Sequence, residues 1–587
     1  MYYSADVAAA GVEHEGRRHS WLRLYQRIGA WVPGSAMTLV LCLLVFPAIG
    51  VLLVYAFTGT KPDGSLTGFT WDNFQTILTQ GRALTAAVNS IVFAALCTAF
   101  AIVLGGTLAW LVERTDAPLR SLSYVTSVIS MGTPYVLYVT AWVFLFGRAG
   151  PFNQMLSLIF GDLYRPIGIN SMFGMVFVGS LLWMPLTFLL LSATFQAANA
   201  DMEEAARISG ASIFQTVKKI TFPLAWPAIL ALAIFIFIRS LEAFEVPALI
   251  GMPAGINVLT TDIYQAMREV PARAGYPSAF SLLLLLLVSV LLFFYSRLSR
   301  AAERYASVTG KGFRPRPFKL GRGRWIAGAF IVTIFVVTNV LPLLALLWMA
   351  LTPFVGSISA RTLSVISLKN FYSVFNTEGY YELVVNTLII AAASATVVMC
   401  LALIVGWLAV RRRPLGLVVD QLATLPLVFP GIVLGVAVLQ IGLASPLPVY
   451  GTLWLIILAF TIGYLPHGTR YAYSGVIQIH GELEEASFVA GGGTFATISR
   501  IVVPLASPAL ASGWLFVFLV CCREITIPIL LAGSHSRTIS VGMLSLWSVG
   551  LAGEVAALGL LWIAFMSLVA GVFYLILRRQ QADAFKK

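Results

Sequence analysis

The sequence predicts an all-α membrane protein of about twelve transmembrane helices, arranged as two similar six-helix halves. Three observations predict it. Of 587 residues, 59% are hydrophobic and 11% charged, where a soluble domain carries about a quarter charged residues. Apolar runs that meet the roughly 20-residue requirement for crossing a bilayer recur along the whole chain. Short segments also recur at a fixed offset: "NFQTIL" at Asn73 and "NFYSVF" at Asn370 lie 297 residues apart, as do Asn89 and Asn386, and Trp110 and Trp407.

Taken in order, a basic and polar segment (1–34) precedes a first apolar run, Gly34–Phe57, too long for the apolar part of a cleaved signal and therefore read as a retained span. Further runs follow at Leu84–Val112, Val125–Phe146, Ser171–Phe195, Leu224–Val246 and Phe280–Tyr295, completing a first half over 35–296. The polar break 297–324 holds nine Lys or Arg and one acid, Glu303, and its "GKGFRPRPFKLGRGR" has the Pro and Gly of a linker. The second half, 325–577, repeats the pattern with Trp325–Leu351, Leu383–Val410, Ala423–Leu443, Gly451–Tyr473, Leu505–Leu531 and Ala556–Leu577, before a short tail, 578–587.

The net charge of +13 is distributed as topology requires rather than as nucleic-acid binding would. Arg17, Arg18, Arg23 and Arg27, the linker, and Arg578 and Arg579 all fall on one side if the spans number twelve, and Arg114, Arg120 and Arg411–Arg413 fall on that side too. Excess basic charge marks the cytoplasm, so both termini are expected there. Cys42, Cys97, Cys400, Cys521 and Cys522 lie in apolar runs without metal-ligand spacing and read as packing residues. Trp110, Trp407, Tyr295 and Tyr473 near span ends read as interfacial anchors. His467 and Arg470 lie near the inner end of the tenth run, where a lone histidine reads as a satisfied interfacial residue rather than a ligand.

The most informative repeat lies between the fourth and fifth runs of each half, on the cytoplasmic side. "EEAARISGAS" begins at Glu203 and "EEASFVAGGG" at Glu484, 281 residues later. That offset holds from Pro185/Pro466 through Pro223/Pro504 to Pro247/Pro528, so the first half carries about sixteen extra residues upstream, expected in the outer loop near Gly150–Asn170. Two copies in the same orientation imply a pseudo-twofold axis along the membrane normal.

Each copy reads as a bent helical knob. Asp201–Ile208 has helix-forming content, with acids at its start where the helix dipole favours them. Gly210 can close that helix in a left-handed conformation. A second short helix, Ile213–Ile220, is then expected to stop near Pro223, where the fifth span begins.

The pattern Glu204-Ala205-Ala206, Gly210, nine residues and "ITFP" to Pro223, repeated as Glu485-Ala486-Ser487, Gly491, nine residues and "IVVP" to Pro504, resembles the EAA loop of binding-protein-dependent ABC importer permeases. Ser487 replaces the second alanine, and Phe222 and Val503 replace a leucine. The resemblance covers essentially the whole chain, as two such permeases fused through the basic linker. It implies the type I ABC importer fold and a permease in the bacterial cytoplasmic membrane. The implied partners are two copies of an ABC ATPase seated on the knobs, an extracytoplasmic substrate-binding protein and membrane lipid, with no nucleic acid. No catalytic residue, metal site or cofactor is expected on this chain. The phosphate-binding motif G-x-x-x-x-G-K-[ST] is absent, "VTGKGF" at Val308–Phe313 lacking the first glycine, so ATP and Mg belong to the partner ATPase.

The fifth spans carry the charges that define a candidate pathway or gate: Arg239, Glu242 and Glu245 in "RSLEAFEVP", and Arg523 and Glu524 in "CCREITIP". At the 281 offset Glu242 corresponds to Arg523, so the two are candidates to pair across the pathway, with Arg239 and Glu524 as further partners. Nineteen residues of helix from Pro223, roughly 28 Å, place Glu242 near the outer end of its span. A local structural salt bridge at the membrane rim is the alternative.

For cargo, "SLEAFEVPALIG" and "CREITIPILLAG" look like the ferric-iron importer permeases, whose close relatives carry polyamines, thiamine, sulfate or phosphonates. The competing class is an ion-coupled secondary transporter, which also duplicates six-span halves but needs acids in mid-membrane and no repeated cytoplasmic knob.

Overall fold

The computed structural model describes residues 5–61, 65–148, 150–161, 165–197, 201–269, 274–305, 317–353 and 360–584. Nine helices in it are long and apolar enough to cross a membrane, and two more spans are helix pairs bent by 108° and 103°. The helix Leu453–Ile477 completes twelve by position, matching Met172–Ala197 of the first half. It is less apolar because His467, Thr469 and Arg470 interrupt it. Apart from a small hairpin, Thr58–Thr60 with Leu66–Phe69, the described chain is helical. The extra residues of the first half form the helix Pro151–Phe160, whereas the second half passes almost directly from Ala444 to Leu453.

Two expected spans are not straight. The third is Arg120–Gly132 followed by Tyr135–Leu145, and the ninth is Gly416–Val428 followed by Gly431–Ala444. Pro134 and Pro430 sit at the two breaks. A proline ring pushes the preceding residue out of the helical region, and Thr133 (ψ 128°) and Phe429 (ψ 111°) are accordingly extended.

The halves interlock. Met37 and Leu41 of the first span are buried with Val405, Leu465 and Val502 of the second half. Ala327, Ile331 and Ile334 of the seventh span are buried with Leu108, Phe188 and Ile229 of the first. Each half thus wraps its leading helix around the other, so neither bundle closes its own core. Leu43, Leu286, Phe293 and Leu344 remain exposed on the outside, a surface suited to lipid rather than to water.

The residues repeated at the 297 offset are structural staples. Asn73 Nδ2 donates to the carbonyls of Ala56 (2.9 Å) and Thr58 (3.1 Å), and Asn370 Nδ2 donates to those of Ala350 (3.0 Å) and Thr352 (2.8 Å). Each amide thereby satisfies acceptors left over where a leading helix ends. Asn89 and Asn386 donate to the carbonyls of Asn257 and His535, and Ser90 and Thr387 accept from the amides of Leu259 and Ile539. These bonds fix the start of the short helices Leu259–Arg268 and Ile539–Ser548. Asn370→Ala is expected to cost about 1–3 kcal/mol, because buried carbonyls lose their donor; thermal unfolding of the detergent-solubilised protein checks this.

The linker is not free along its whole length. Residues 306–316 lie outside the described residues. Its end, however, lies against the second span: Phe318 N donates to Arg114 O (2.8 Å), Asp116 N donates to Phe318 O (3.0 Å), and the Asp116 carboxylate accepts from Leu320 N (2.8 Å). The sixth-span helix also runs on to Tyr305, past the boundary expected at 296.

Candidate functional site: two knobs and a central constriction

Both knobs form with the same geometry. The first is Asp201–Ile208, a turn through Gly210 (φ +83°), and a helix from Ile213; the second is Gly481–Val489, Gly491 (φ +84°), and a helix from Thr494. Ala211 N donates to Ala206 O (2.9 Å) and Gly492 N donates to Ser487 O (2.8 Å), the six-to-one bond that closes a helix on a left-handed residue. Ser212 caps the next helix: its hydroxyl accepts from Gln215 N while the Gln215 side chain accepts from Ser212 N.

The helix that follows does not stop at the proline. Ile213–Leu241 and Thr494–Arg523 are continuous rods of 29 and 30 residues. A wide π turn, Val217–Thr221 or Ile498–Val502, precedes Pro223 or Pro504. The wider turn makes room for the proline ring, which would otherwise meet the carbonyl four residues back. Each knob is therefore one end of a lever whose other end reaches the charged segment.

The glutamate before each motif anchors the knob. Glu484 is buried; its Oε2 accepts from Trp407 Nε1 (2.9 Å), its Oε1 accepts from Arg411 Nε (2.8 Å), and Arg411 also donates to Ile479 O (2.9 Å). In the first half Glu203 is buried, accepts from the Thr221 hydroxyl (2.7 Å), and lies 3.6 Å from Arg114 Nη1. Glu203 and Glu484 are equivalent, as are Arg114 and Arg411. Trp407 is accordingly a buried hydrogen-bond donor, not the interfacial anchor expected of it.

The motif glutamates are more accessible, Glu204 half-buried and Glu485 exposed, and Ala205 and Ala486 are exposed. Around them lie matching exposed apolar side chains: Met202 and Leu483, Ile208 and Val489, Phe214 and Phe495. Ser487 explains the second glycine of the triplet. Its hydroxyl bonds Thr497 (2.9 Å), and a Cβ on Gly492 would fall 2.6 Å from that same oxygen. The first half has alanine at both places, Ala206 and Ala211. Gly492→Ala is therefore expected to loosen the second knob, read as faster hydrogen exchange over 481–497, and Ser487→Ala to restore it. Gly493→Ala, with open space around it, is expected to change nothing.

The far ends of the levers meet at a constriction. The helices end at Leu241 and Arg523, and the chain unwinds through Glu242–Phe244 and Glu524–Ile527 before turning again at Pro247 and Pro528. Arg239, Glu242, Glu245 and Glu524 line one small cavity of about 120 Å³ with Tyr464 and His467. Tyr464 and His467 lie near the middle of Leu453–Ile477, so the charges lie at mid-depth and not near the outer end. Counting helical rise from Pro223 misplaced Glu242 because Pro223 lies within the continuous helix Ile213–Leu241 and does not mark the inner edge of the span.

The pairing also differs from the expected one. Glu242 bonds Arg239 on its own helix, with Nη1 to Oε2 at 2.5 Å, and Arg523 lies 5.0 Å from the ring centre of Tyr135. A partner one helical turn away reaches Glu242 without crossing the constriction. Glu524 accepts from the Tyr464 hydroxyl (2.9 Å) and from Thr526 N (2.8 Å). His467 faces the cavity, stacked against Phe516, and its Nδ1 is buried without a hydrogen-bond partner, which corrects its reading as an interfacial residue. Among the described residues no group of three or more His, Cys, Asp or Glu is placed to hold a metal ion.

Beyond the constriction, on the face opposite the knobs, a wider cavity of about 720 Å³ opens between the short helices Leu259–Arg268 and Ile539–Ser548. Phe244 and Leu530 form its floor, while Glu245 and Ile527 face the smaller cavity beneath.

Residues 101–304 match the family described as binding-protein-dependent transport system inner membrane component. The chain is 25% identical over 546 residues, 91% of its length and 76% of the relative's, to the ferric transport system permease protein FbpB of Actinobacillus pleuropneumoniae. It is 23% identical over 379 residues, covering 64% of this chain and 71% of the other, to the Fe(3+)-transport system permease protein FbpB 2 of Haemophilus influenzae. The inner membrane ABC transporter permease protein YdcU of Escherichia coli K12 matches 43% of this chain with 90% of its own length, at 27% identity. With two knobs of one geometry, each continuous with a helix that ends at a shared constriction, the chain is similar over most of its length to binding-protein-dependent ABC importer permeases.

Proposed function

We propose that the chain is the membrane pathway of an ATP-driven importer of ferric iron, fed by an extracytoplasmic binding protein and driven by two copies of a separate ATPase, which carry the ATP and Mg. The knobs then lie in the cytoplasm with both termini, and the wide cavity opens toward the binding protein. The observation that carries this reading is the pair of matched knobs. Each presents a protruding aromatic and a protruding aliphatic residue, Phe214 with Ile208 and Phe495 with Val489, on a buried ionic anchor at the head of a continuous lever. Apolar tips this exposed suit a groove on another protein. A carboxylate and an arginine rooted in the second or eighth span transmit force rather than absorb it.

Iron is supported by the names of the ferric transport relatives, at modest identity. The mid-depth position of Glu242, Glu245 and Glu524 removes one distinction from an ion-coupled transporter; the duplicated knobs retain the other. Gentle affinity purification from native membranes, identifying co-purifying chains and their ligand, tests the reading. An ATPase and an iron-loaded binding protein are expected. A binding protein loaded with an organic cation or an iron-free oxyanion would remove iron, and no ATPase after cross-linking at the knobs would remove the mechanism.

A further inference from the structure

The wide cavity has a charge character of its own. Among the described residues that line it, the charged side chains are Arg268 and Arg537, and no aspartate or glutamate joins them. Tyr264, Tyr450, Ser545 and Ser548 add hydroxyls, and Trp547 adds an indole. Both arginines are exposed, and neither has a carboxylate within 4 Å among the described ion pairs.

The acids close to them in sequence are engaged elsewhere. Asp262 and Glu269 both bind Arg82, at 2.5 and 2.7 Å, and Asp262 also accepts from the Tyr276 hydroxyl (2.8 Å). Glu382 faces His535 at 3.3 Å. Arg268 is positioned by Tyr264, whose hydroxyl accepts from its Nη1 (2.5 Å) and whose ring centre lies 5.4 Å from its guanidinium carbon. The cavity therefore keeps two guanidinium groups turned to open space, while Asp262 and Glu269 are held by Arg82 and Glu382 lies against His535, away from them. The asymmetry sharpens the point. With the helices Leu259–Arg268 and Ile539–Ser548 superposed in register, Arg268 corresponds to Ser548 and Arg537 to Asn257, so the two cations come from different positions of the repeat and are not a by-product of duplication.

We propose that this cavity is an oxyanion-accepting site, in which Arg268 and Arg537 receive phosphate-like or carboxylate oxygens of the cargo before it reaches the constriction. Guanidinium groups match such oxygens in shape as well as charge. A bare trivalent cation would be repelled from a cavity so lined. The inference rests on the permease reading above and deepens it: ferric iron enters as a complex whose surface is anionic, its charge covered by the oxygens of a chelating anion. The same chemistry could come from a free oxyanion cargo, and the experiment distinguishes the two.

Trp547 is a built-in reporter. The full-length chain in lipid nanodiscs is titrated at constant ionic strength with inorganic phosphate, with citrate, with gallium(III) citrate as a non-quenching stand-in for the ferric complex, and with spermidine. Tryptophan emission is read against a Trp547→Phe control. A saturable change with gallium citrate but not with the anions alone assigns the metal complex; a saturable change with an anion alone assigns a free oxyanion. In either case the Arg268→Gln, Arg537→Gln double variant is expected to weaken binding about tenfold or more, and the corresponding Lys variants to recover part of it. A saturable response to spermidine instead, anion binding unchanged in the double variant, or no saturable response to any anionic probe would overturn the proposal. Elution of each variant as a single species excludes misfolding. None of these readouts involves the ATPase, so the proposal can fail while co-purification still upholds the permease, and the reverse.

Discussion

Glu484→Ala is expected to reduce transport by about tenfold or more, where about 1.4 kcal/mol corresponds to tenfold. The change removes the acceptor for Trp407 and Arg411 together and leaves a guanidinium at the foot of the eighth span without its buried carboxylate. Breaking such a pair by deleting one member costs about 3–5 kcal/mol. The loss falls on the joint between knob and span, so substrate delivery is spared while motion at the knob no longer reaches the constriction. Initial uptake rate and hydrogen exchange over 481–497 measure the two parts. The equivalent Glu203→Ala is expected to do less, because Arg114 sits 3.6 Å from its carboxylate and a hydroxyl supplies the shorter bond. Equal effects at the two sites would show that the halves share the load evenly, against this account.

At the constriction, Arg239→Ala is expected to abolish most transport by stranding the buried Glu242 carboxylate at mid-depth, where an unpaired charge is costly. Exchanging the pair in place, Arg239→Glu with Glu242→Arg, is expected to restore a substantial fraction, because the two groups remain one turn apart on the same helix. The exchange across the halves, Glu242→Arg with Arg523→Glu, is expected to fail, since Arg523 packs over Tyr135 instead. Uptake by the single and double variants at matched expression decides between the arrangements; rescue by the second exchange alone would restore a gate that pairs across the pathway.

The knobs were legible because a fixed spacing of helix formers, a left-handed glycine and a proline determines a local shape whatever surrounds it. Their anchors were not. Glu203 and Glu484 read as ordinary acids favouring a helix start, and their partners lie 89 and 73 residues away in sequence. The signal was present in the two offsets, since Arg114/Arg411 repeat at one and Glu203/Glu484 at the other, but only the fold brings those series together. Hydropathy found the third and ninth spans and concealed their breaks, because Pro134 and Pro430 interrupt the helix without interrupting the apolar run. The same blindness misplaced the pathway charges. A uniform helical rise counts from the wrong start when the lever continues through Pro223 into the knob, because the proline then marks no membrane boundary. The wide cavity was invisible for another reason: Arg268 and Arg537 are not equivalent in the repeat, so comparing the halves draws no attention to them.

The central claim is that both knobs seat on a partner that turns nucleotide binding into motion of the levers. Single cysteines in place of Phe214 and Phe495, in a background freed of the five native cysteines, place a cross-linker on each tip in native membranes. Both positions are expected to capture the same ATP-binding chain, with yields that change when ATP is added. Capture at neither tip, or capture of chains that bind no nucleotide, would contradict it.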